Sequence, residues 1–321
     1  MLDKKLRVYN KIIDKIKGAS NIALISHRNP DGDTLGSATA FYQIINSNFV
    51  SKNIDLICKD LIPKNLSFIH NSELYKQDFN PNNYDLIIFF DSGSKSQTLL
   101  DLEFPELFDG KTYNTIGIDH HITNEIYAKQ NLILTGYAAT AMIVYEIFSF
   151  TGYYIDSIAS TNILTGIYTD TGGLKHSNTD ALAYKYTAEL INLGADLSYI
   201  VDNFFKNNSF DKLKLWGKII DKSFIDKENI LYTYINKNDV DSFNCDFTDA
   251  SGITDLLNSA DGIKYSVILT QKGEYVKGSL RTLRDDIDLT DLAKKHGGGG
   301  HKKASGFTVR GNIEEFKSLN F

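Results

Sequence analysis

The sequence predicts an α/β protein in two parts: a mostly parallel sheet with helices on both faces, then a smaller α/β domain. Three observations carry this prediction. Short apolar runs alternate with longer amphipathic stretches through the first half, as repeated strand–helix units require. The chain has 321 residues, more than one hydrophobic core usually fills. Its charge is also unevenly divided. The segment from Lys264 to Phe321 holds 11 Lys and Arg against 7 Asp and Glu, while the whole chain carries −6.

In order, the strands of the first part are Ile22–Ile25, Ile54–Ile57, Leu86–Phe90 and Thr115–Ile118. Their near-continuous apolar character fits a sheet covered on both faces. Gly36–Ile45 and Ala139–Phe150 read as helices between and after them. Ala159–Gly173 reads as a helix ending at a glycine pair, and Thr179 as the cap of a helix running to Leu193, stopped by Gly194. The polar stretch Asp202–Trp216 reads as a helical connector. Ile230–Ile235, Tyr265–Gln271 and Tyr275–Leu280 read as strands of the second part. The expected boundaries are 1–195 for the first domain, 196–222 for a helical linker and 223–321 for the second domain.

Composition excludes several classes. With 42% hydrophobic and 23% charged residues the chain is globular, not disordered. No apolar run approaches the roughly 20 residues that cross a bilayer, so no membrane association is expected. The N-terminal residues lack the apolar core of a signal peptide, which makes the cytoplasm the expected compartment. Two distant cysteines, Cys58 and Cys245, make neither a disulfide framework nor a zinc site. A net negative charge opposes binding to long duplex nucleic acid, because neutralising phosphates needs a basic surface.

In open parallel sheets ligands bind beyond the carboxyl ends of the strands, so the residues just after each strand matter most. The first strand runs into His27, Arg28, Asn29, Pro30, Asp31, Gly32 and Asp33, a tight turn that gathers an imidazole and two carboxylates. The bland reading is a turn whose Asp residues only cap the next helix. Asp91 follows the third strand and Asp119, His120 and His121 follow the fourth. Asp170 closes a helix. Each has a structural explanation taken singly; four such sites in one domain are hard to explain together by chance. His27, Asp31, Asp33, Asp91, His120 and Asp170 are too many ligands for one catalytic ion that keeps open positions. They suit two divalent ions about 3.5–4 Å apart, the arrangement that clamps the oxygens of an in-line phosphoryl substitution. Oxygen-rich donors with imidazole suit hard or borderline divalent ions such as manganese or magnesium. In the second part, Gly297–Gly300 lets backbone amides approach an anion, and Arg281 and His301 are candidates to pair with phosphate. A flexible glycine loop flanked by solvated lysines is the bland alternative.

Together these residues resemble the DHH phosphoesterase family with a DHHA-type C-terminal domain, and most closely its oligoribonuclease and pAp phosphatase group. The triplet Asp119-His120-His121, the H-x-N-P-D-G-D run at His27–Asp33, Asp91, Asp170, S-x-R at Ser279–Arg281 and G-G-G-H at Gly298–His301 carry the likeness, in order, over nearly the whole chain. The resemblance implies a metal-binding catalytic domain and a substrate-binding domain. It implies a first ion on His27, Asp31 and Asp91, and a second on Asp33, Asp91, His120 and Asp170. Asp91 would bridge them, His121 would face the scissile phosphate and Asp119 would support the histidines. Ser279, Arg281, Gly298, Gly299, Gly300 and His301 would bind the substrate phosphate. The expected activity is manganese-dependent hydrolysis of short RNA oligonucleotides to nucleoside 5′-monophosphates, in the manner of a 3′–5′ exonuclease. The same site would convert 3′-phosphoadenosine 5′-phosphate (pAp) to AMP and phosphate. A homodimer is a further expectation.

The alternatives are action on pApA or cyclic dinucleotides, an inorganic pyrophosphatase, a RecJ-like nuclease, and a non-catalytic nucleotide-binding protein. The last would be marked by lost ligands, and all six are present. Three positions depart from the family pattern. Thr282 stands where serine is common, and Lys175 and His176 where an arginine and an aromatic are usual. Lysine lacks the bidentate fork, which bears on phosphate or base preference there.

Overall fold

A computed structural model describes residues 2–205, 208–250 and 252–316, except that the side chains at 2, 205, 255, 301 and 316 are not described. The chain divides into two compact units, Met1–Asn207 and Asn208–Phe321.

The first unit begins with helix α1 (Leu2–Gly18), strand β1 (Asn21–Ser26), α2 (Gly32–Asn48) and β2 (Asn53–Ile57). A two-residue β3 (Tyr75–Lys76), β4 (Leu86–Phe90), β5 (Thr115–Asp119) and β6 (Gln130–Ile133) follow. Helices α3 (Thr140–Phe150), α4 (Ser157–Asp170), α5 (Ala181–Asn192) and α6 (Leu197–Phe205) complete it. The six strands form one parallel sheet in the order β3-β2-β1-β4-β5-β6. The order reverses between β1 and β4, so the carboxyl ends of these two strands open the crevice where such sheets hold ligands.

Strand alternation sends side chains to two cores. Ile22, Leu24, Ile88, Phe90, Ile116 and Ile118 pack against the long helices. Ala23, Ile25, Ile87 and Phe89 face a smaller core closed by Phe79, Leu100, Leu107 and Tyr127. That second face is covered by loops and single 3-10 turns such as Pro81–Asn83 and Pro105–Phe108, so the helical cover differs between the faces.

Several element readings change. Asp180, not Thr179, caps α5: its carboxylate accepts the Ala183 amide at 2.9 Å. The stretch 202–216 is not one connector. Helix α6 belongs to the first unit, where Ile200 is buried and the Tyr199 hydroxyl donates to the Phe68 carbonyl. Strands β3 and β6 escaped notice because one has two residues and the other a polar start.

The second unit opens with α7 (Phe210–Asp221), β7 (Phe224–Ile225), β8 (Ile230–Ile235), α8 (Lys237–Asp241) and α9 (Ile253–Asn258). It continues with β9 (Tyr265–Lys272), β10 (Tyr275–Arg281), α10 (Thr290–Lys295), β11 (Gly299–His301), β12 (Ala304–Arg310) and α11 (Ile313–Phe316). The sheet order is β11-β12-β10-β9-β8-β7, with β8 and β9 parallel and the other pairs antiparallel. Leu215 and Ile219 of α7 are buried against one face of this sheet, with Leu231, Ile235 and Ile268. Leu289 and Ala293 cover the other, over Val267, Val276, Leu280 and Phe307. Among the described residues no helix is long and apolar enough to cross a membrane.

Candidate active site

The crevice at the β1/β4 reversal collects the motif residues. After β1 the turn passes through Asn29, left-handed at φ 48°, whose amide donates to Asp60 Oδ2 at 2.7 Å. Asp31 is the N-cap of α2: its Oδ1 accepts the Asp33 and Thr34 amides at 3.1 Å each. The capping role and the cluster role therefore coincide in one residue. Asp91 follows β4 with φ 55°, a strained conformation for a non-glycine residue that turns its carboxylate into the crevice. Asp119 ends β5, His120 and His121 follow it, and Asp170 ends α4. Two glycines let α4 lie close on α2. A Cβ on Gly36 would fall 2.4 Å from the Asn162 carbonyl, and one on Gly166 2.8 Å from Asp33 Oδ1. This contact brings Asp170 to the cluster that holds Asp33.

Three sets of ligand atoms lie within 4.8 Å of one another: His27, Asp31 and Asp91; Asp33, His120 and Asp170; and Asp91, Asp119, His120 and His121. His27 Nε2 is 3.7 Å from Asp31 Oδ1 and 3.6 Å from Asp91 Oδ2. His120 Nε2 is 3.5 Å from Asp91 Oδ1, 3.7 Å from Asp170 Oδ2 and 3.9 Å from Asp33 Oδ2. The two oxygens of Asp91 thus face two different ligand sets.

These spacings fit divalent cations. They are long for hydrogen bonds, whereas two ligand atoms each roughly 2.1 Å from a shared ion sit about 3–4 Å apart. The tautomers agree. His27 Nδ1 contacts the Arg28 carbonyl at 2.8 Å and His120 Nδ1 the Tyr137 carbonyl at 3.0 Å. A carbonyl only accepts, so both Nδ1 atoms carry hydrogen and both Nε2 lone pairs face the cluster. The electrostatics agree as well. Burial, then the charges of Asp91, Asp170 and Asp31, push the Asp33 carboxyl well above the carboxylate range. Asp170 is pushed up to about 6, first by burial. Burial opposes charge on His27, but the carboxylates of Asp31 and Asp91 outweigh it and raise it to about 11, so that without a cation a proton sits on Nε2 in its place. Both effects have one cause, a buried surplus of carboxylates short of positive charge.

His121 stands apart from the two sets that contain Asp31 and Asp170. Its Nδ1 pairs with Asp119 Oδ1 at 2.8 Å, and this bond first of all raises it to about 9. Asp119 is buried and also accepts the His120 and His121 amides. Sequence reasoning missed Asn124, which donates to Asp119 Oδ2 at 2.6 Å and to the Ser92 carbonyl at 3.0 Å. It missed Thr140 and Ala141, whose amides donate to Asp33 at 2.6 and 2.9 Å. Ala139, read from the sequence as the first helical residue, is the N-cap in the structure and offers no side-chain acceptor.

In the second unit, the half-buried Ser279 and Arg281 lie on one face of β10 with the exposed Lys277, a residue not singled out from the sequence. Arg281 Nη1 donates to the Leu280 carbonyl at 2.9 Å. The glycine run is not a free loop. Gly299, Gly300 and His301 form β11, paired with Gly306, Ser305 and Ala304 of β12. A Cβ on Gly298 would fall 2.1 Å from the Gly306 carbonyl, and one on Gly300 2.6 Å from the Ala304 carbonyl. Close backbone approach, not flexibility, requires these glycines. The ladder puts Arg281, Ala304 and His301 on one rung, and the His301 side chain lies outside the described ones.

Comparisons with known proteins follow the same division. Residues 21–171 match the sequence profile of the DHH family, N-terminal domain, and residues 227–319 that of the DHHA1 domain. A Thermus thermophilus protein named bifunctional oligoribonuclease and PAP phosphatase NrnA is 27% identical over 311 residues, spanning 96% of this chain and 89% of its own. A Bacillus subtilis protein of the same name is 24% identical over 302 residues, spanning 93% and 92%. The crystal structure of an exopolyphosphatase-related protein from Bacteroides fragilis superposes with a TM-score of 0.88 at 24% identity, covering 96% of this chain and 92% of that one. Fold, site and relatives define a metal-dependent hydrolase of phosphoester bonds. The chain belongs to the DHH family, with an N-terminal DHH domain followed by a DHHA1 domain.

Proposed function

We propose that this protein is a manganese-dependent phosphoesterase that trims short oligoribonucleotides to nucleoside 5′-monophosphates and hydrolyses pAp to AMP and phosphate. The observation that carries the reading is the pair of ligand sets meeting at Asp91, whose Oδ2 faces His27 and whose Oδ1 faces His120. His27, Asp31 and Asp91 would hold one cation, and Asp33, Asp91, His120 and Asp170 the other. When bound, such a pair supplies Lewis acidity at the scissile phosphate and offsets the charge on its oxygens.

The chain's own groups do the rest. Asp119 accepts from Nδ1–H of His121 and favours the protonated imidazole, whose Nε2–H would donate to a phosphate oxygen. Asn124 holds Asp119 from the other side, so the imidazole keeps one orientation. Ser279, Arg281, the backbone of Gly298–Gly300 and His301 would hold the terminal phosphate of the substrate, and the basic balance of the C-terminal segment supports this. The names of the relatives support the substrate class. Two free cysteines fit a reducing compartment, the cytoplasm.

The test is turnover of pAp, an RNA of five nucleotides, a long structured RNA, pApA and pyrophosphate side by side with manganese. The expected result is fast release from pAp and the short RNA, slow attack on the long one, and loss of all turnover on adding chelator. Equal rates on the long RNA, or turnover that survives the chelator, would contradict the reading.

A further inference from the structure

Helix α3 starts without a cap of its own. Its N-cap residue is Ala139, which offers no side-chain acceptor. The Asp33 carboxylate takes that place from another element, accepting the Thr140 and Ala141 amides. The same Thr140 sends its hydroxyl to Asp91 Oδ1 at 2.9 Å, and the residue is fully buried. One residue thus touches a carboxylate of one ligand set and the carboxylate that both sets share.

The direction of this hydroxyl is informative. Threonines within helices usually bond back to the carbonyl four residues earlier. Thr39, Thr151, Thr161, Thr165, Thr169 and Thr171 all do so here. Thr140 opens its helix, where no helical carbonyl lies four residues earlier, and its hydroxyl goes to Asp91. Asp91 needs such a partner. Its left-handed backbone aims the carboxylate into the crevice but leaves the carboxylate plane free to rotate about the side-chain bonds. Fixing Oδ1 fixes that plane, and with it the division in which Oδ2 faces His27 and Oδ1 faces His120.

We propose that Thr140 is a positioning residue of the metal centre, which sets the orientation of Asp91 as the shared ligand and ties it to Asp33. The proposal rests on the two-cation reading of the cluster. Groups that orient ligands in this way typically cost 10–100-fold in metal affinity or activity when removed.

The test compares the wild type with Thr140→Val, which keeps shape and loses the hydroxyl, and Thr140→Ser, which keeps the hydroxyl. Metal-stripped protein is titrated with manganese by calorimetry, kcat and KM are measured on pAp, and thermal unfolding in chelator checks the fold. For Thr140→Val the apparent Kd for manganese should rise, and kcat fall, by roughly 10–100-fold. KM and the chelator-state melting should change little. Thr140→Ser should restore affinity to within about threefold of wild type, since the same donor is present. If Thr140→Val does not fold, Thr140→Ala is read in its place. Wild-type manganese affinity and kcat in the hydroxyl-free variant would overturn the proposal, as would a serine variant as impaired as the valine one. A wild type that binds no manganese would overturn the cation reading and this proposal together.

Discussion

At the scale of single residues, the site depends on side chains whose positions the backbone has already fixed. Asp91 is held left-handed, Asp31 is tied to the first amides of α2, and His27 and His120 are held by carbonyls on Nδ1. The phosphate clamp proposed for the second unit makes a separate prediction. Arg281→Ala should leave manganese titration unchanged while kcat/KM on pAp falls by about one to two orders of magnitude, the equivalent of one charge-assisted hydrogen bond of roughly 1.5–3 kcal/mol. Most of the loss should appear in KM, and unchanged kinetics would remove Arg281 from the clamp. The convergence of His27, Asp31, Asp33, Asp91, His120 and Asp170 was legible in the sequence because each follows a strand or ends a helix, where chain direction alone predicts convergence. Thr140 and Asn124 were not legible. Their roles depend on which carboxylates fold back onto them, 49 and 5 residues away in sequence.

At the scale of elements, α3 does two jobs. Its first turn holds Asp33 and Asp91, and its middle holds the buried Glu146, which accepts hydroxyls from Tyr9 and Tyr186 and from Tyr137. Tyr137 in turn offers its carbonyl to His120. Burial alone would raise the Glu146 carboxyl, but hydrogen bonds from Tyr186, Tyr9, Tyr137 and Lys5 outweigh it and lower it. The sign follows. A carboxyl depressed in the folded state stabilises the fold above its unfolded value, about 4.3, and loses that contribution as pH falls through the folded one. Glu146→Gln should therefore lower stability at pH 7 by about 1.5–3 kcal/mol, the cost of weakening hydrogen bonds to a charged group. The gap to wild type should close as urea unfolding is repeated below about pH 4. A gap independent of pH would show that Glu146 is not held ionised. Element ends were readable to within a few residues where the apolar run was long, as in Leu86–Phe90. Strand β12 was not, because Ser305 and Gly306 interrupt its pattern, nor was β11, whose glycines look like a loop until the ladder to β12 is seen.

At the scale of the whole molecule, charge and fold divide the work. The C-terminal segment from Lys264 is basic within a chain of net charge −6, and the carboxylate cluster belongs to the first unit. An acidic protein repels long polyanions, which supports the proposed action on small substrates with an accessible terminal phosphate. The proposed function requires the first unit to hold two divalent cations through one shared carboxylate. The measurement that tests it most directly is calorimetric titration of metal-stripped wild type and Asp91→Asn with manganese, beside hydrolysis of pAp by the same samples. Asparagine tolerates the left-handed backbone at this position while losing the charge. Two manganese ions should bind per wild-type chain. Asp91→Asn should show impaired binding at both sites, kcat reduced by at least about 100-fold and unfolding in chelator close to wild type. A single ion per wild-type chain, or full turnover by Asp91→Asn, would contradict the proposed function.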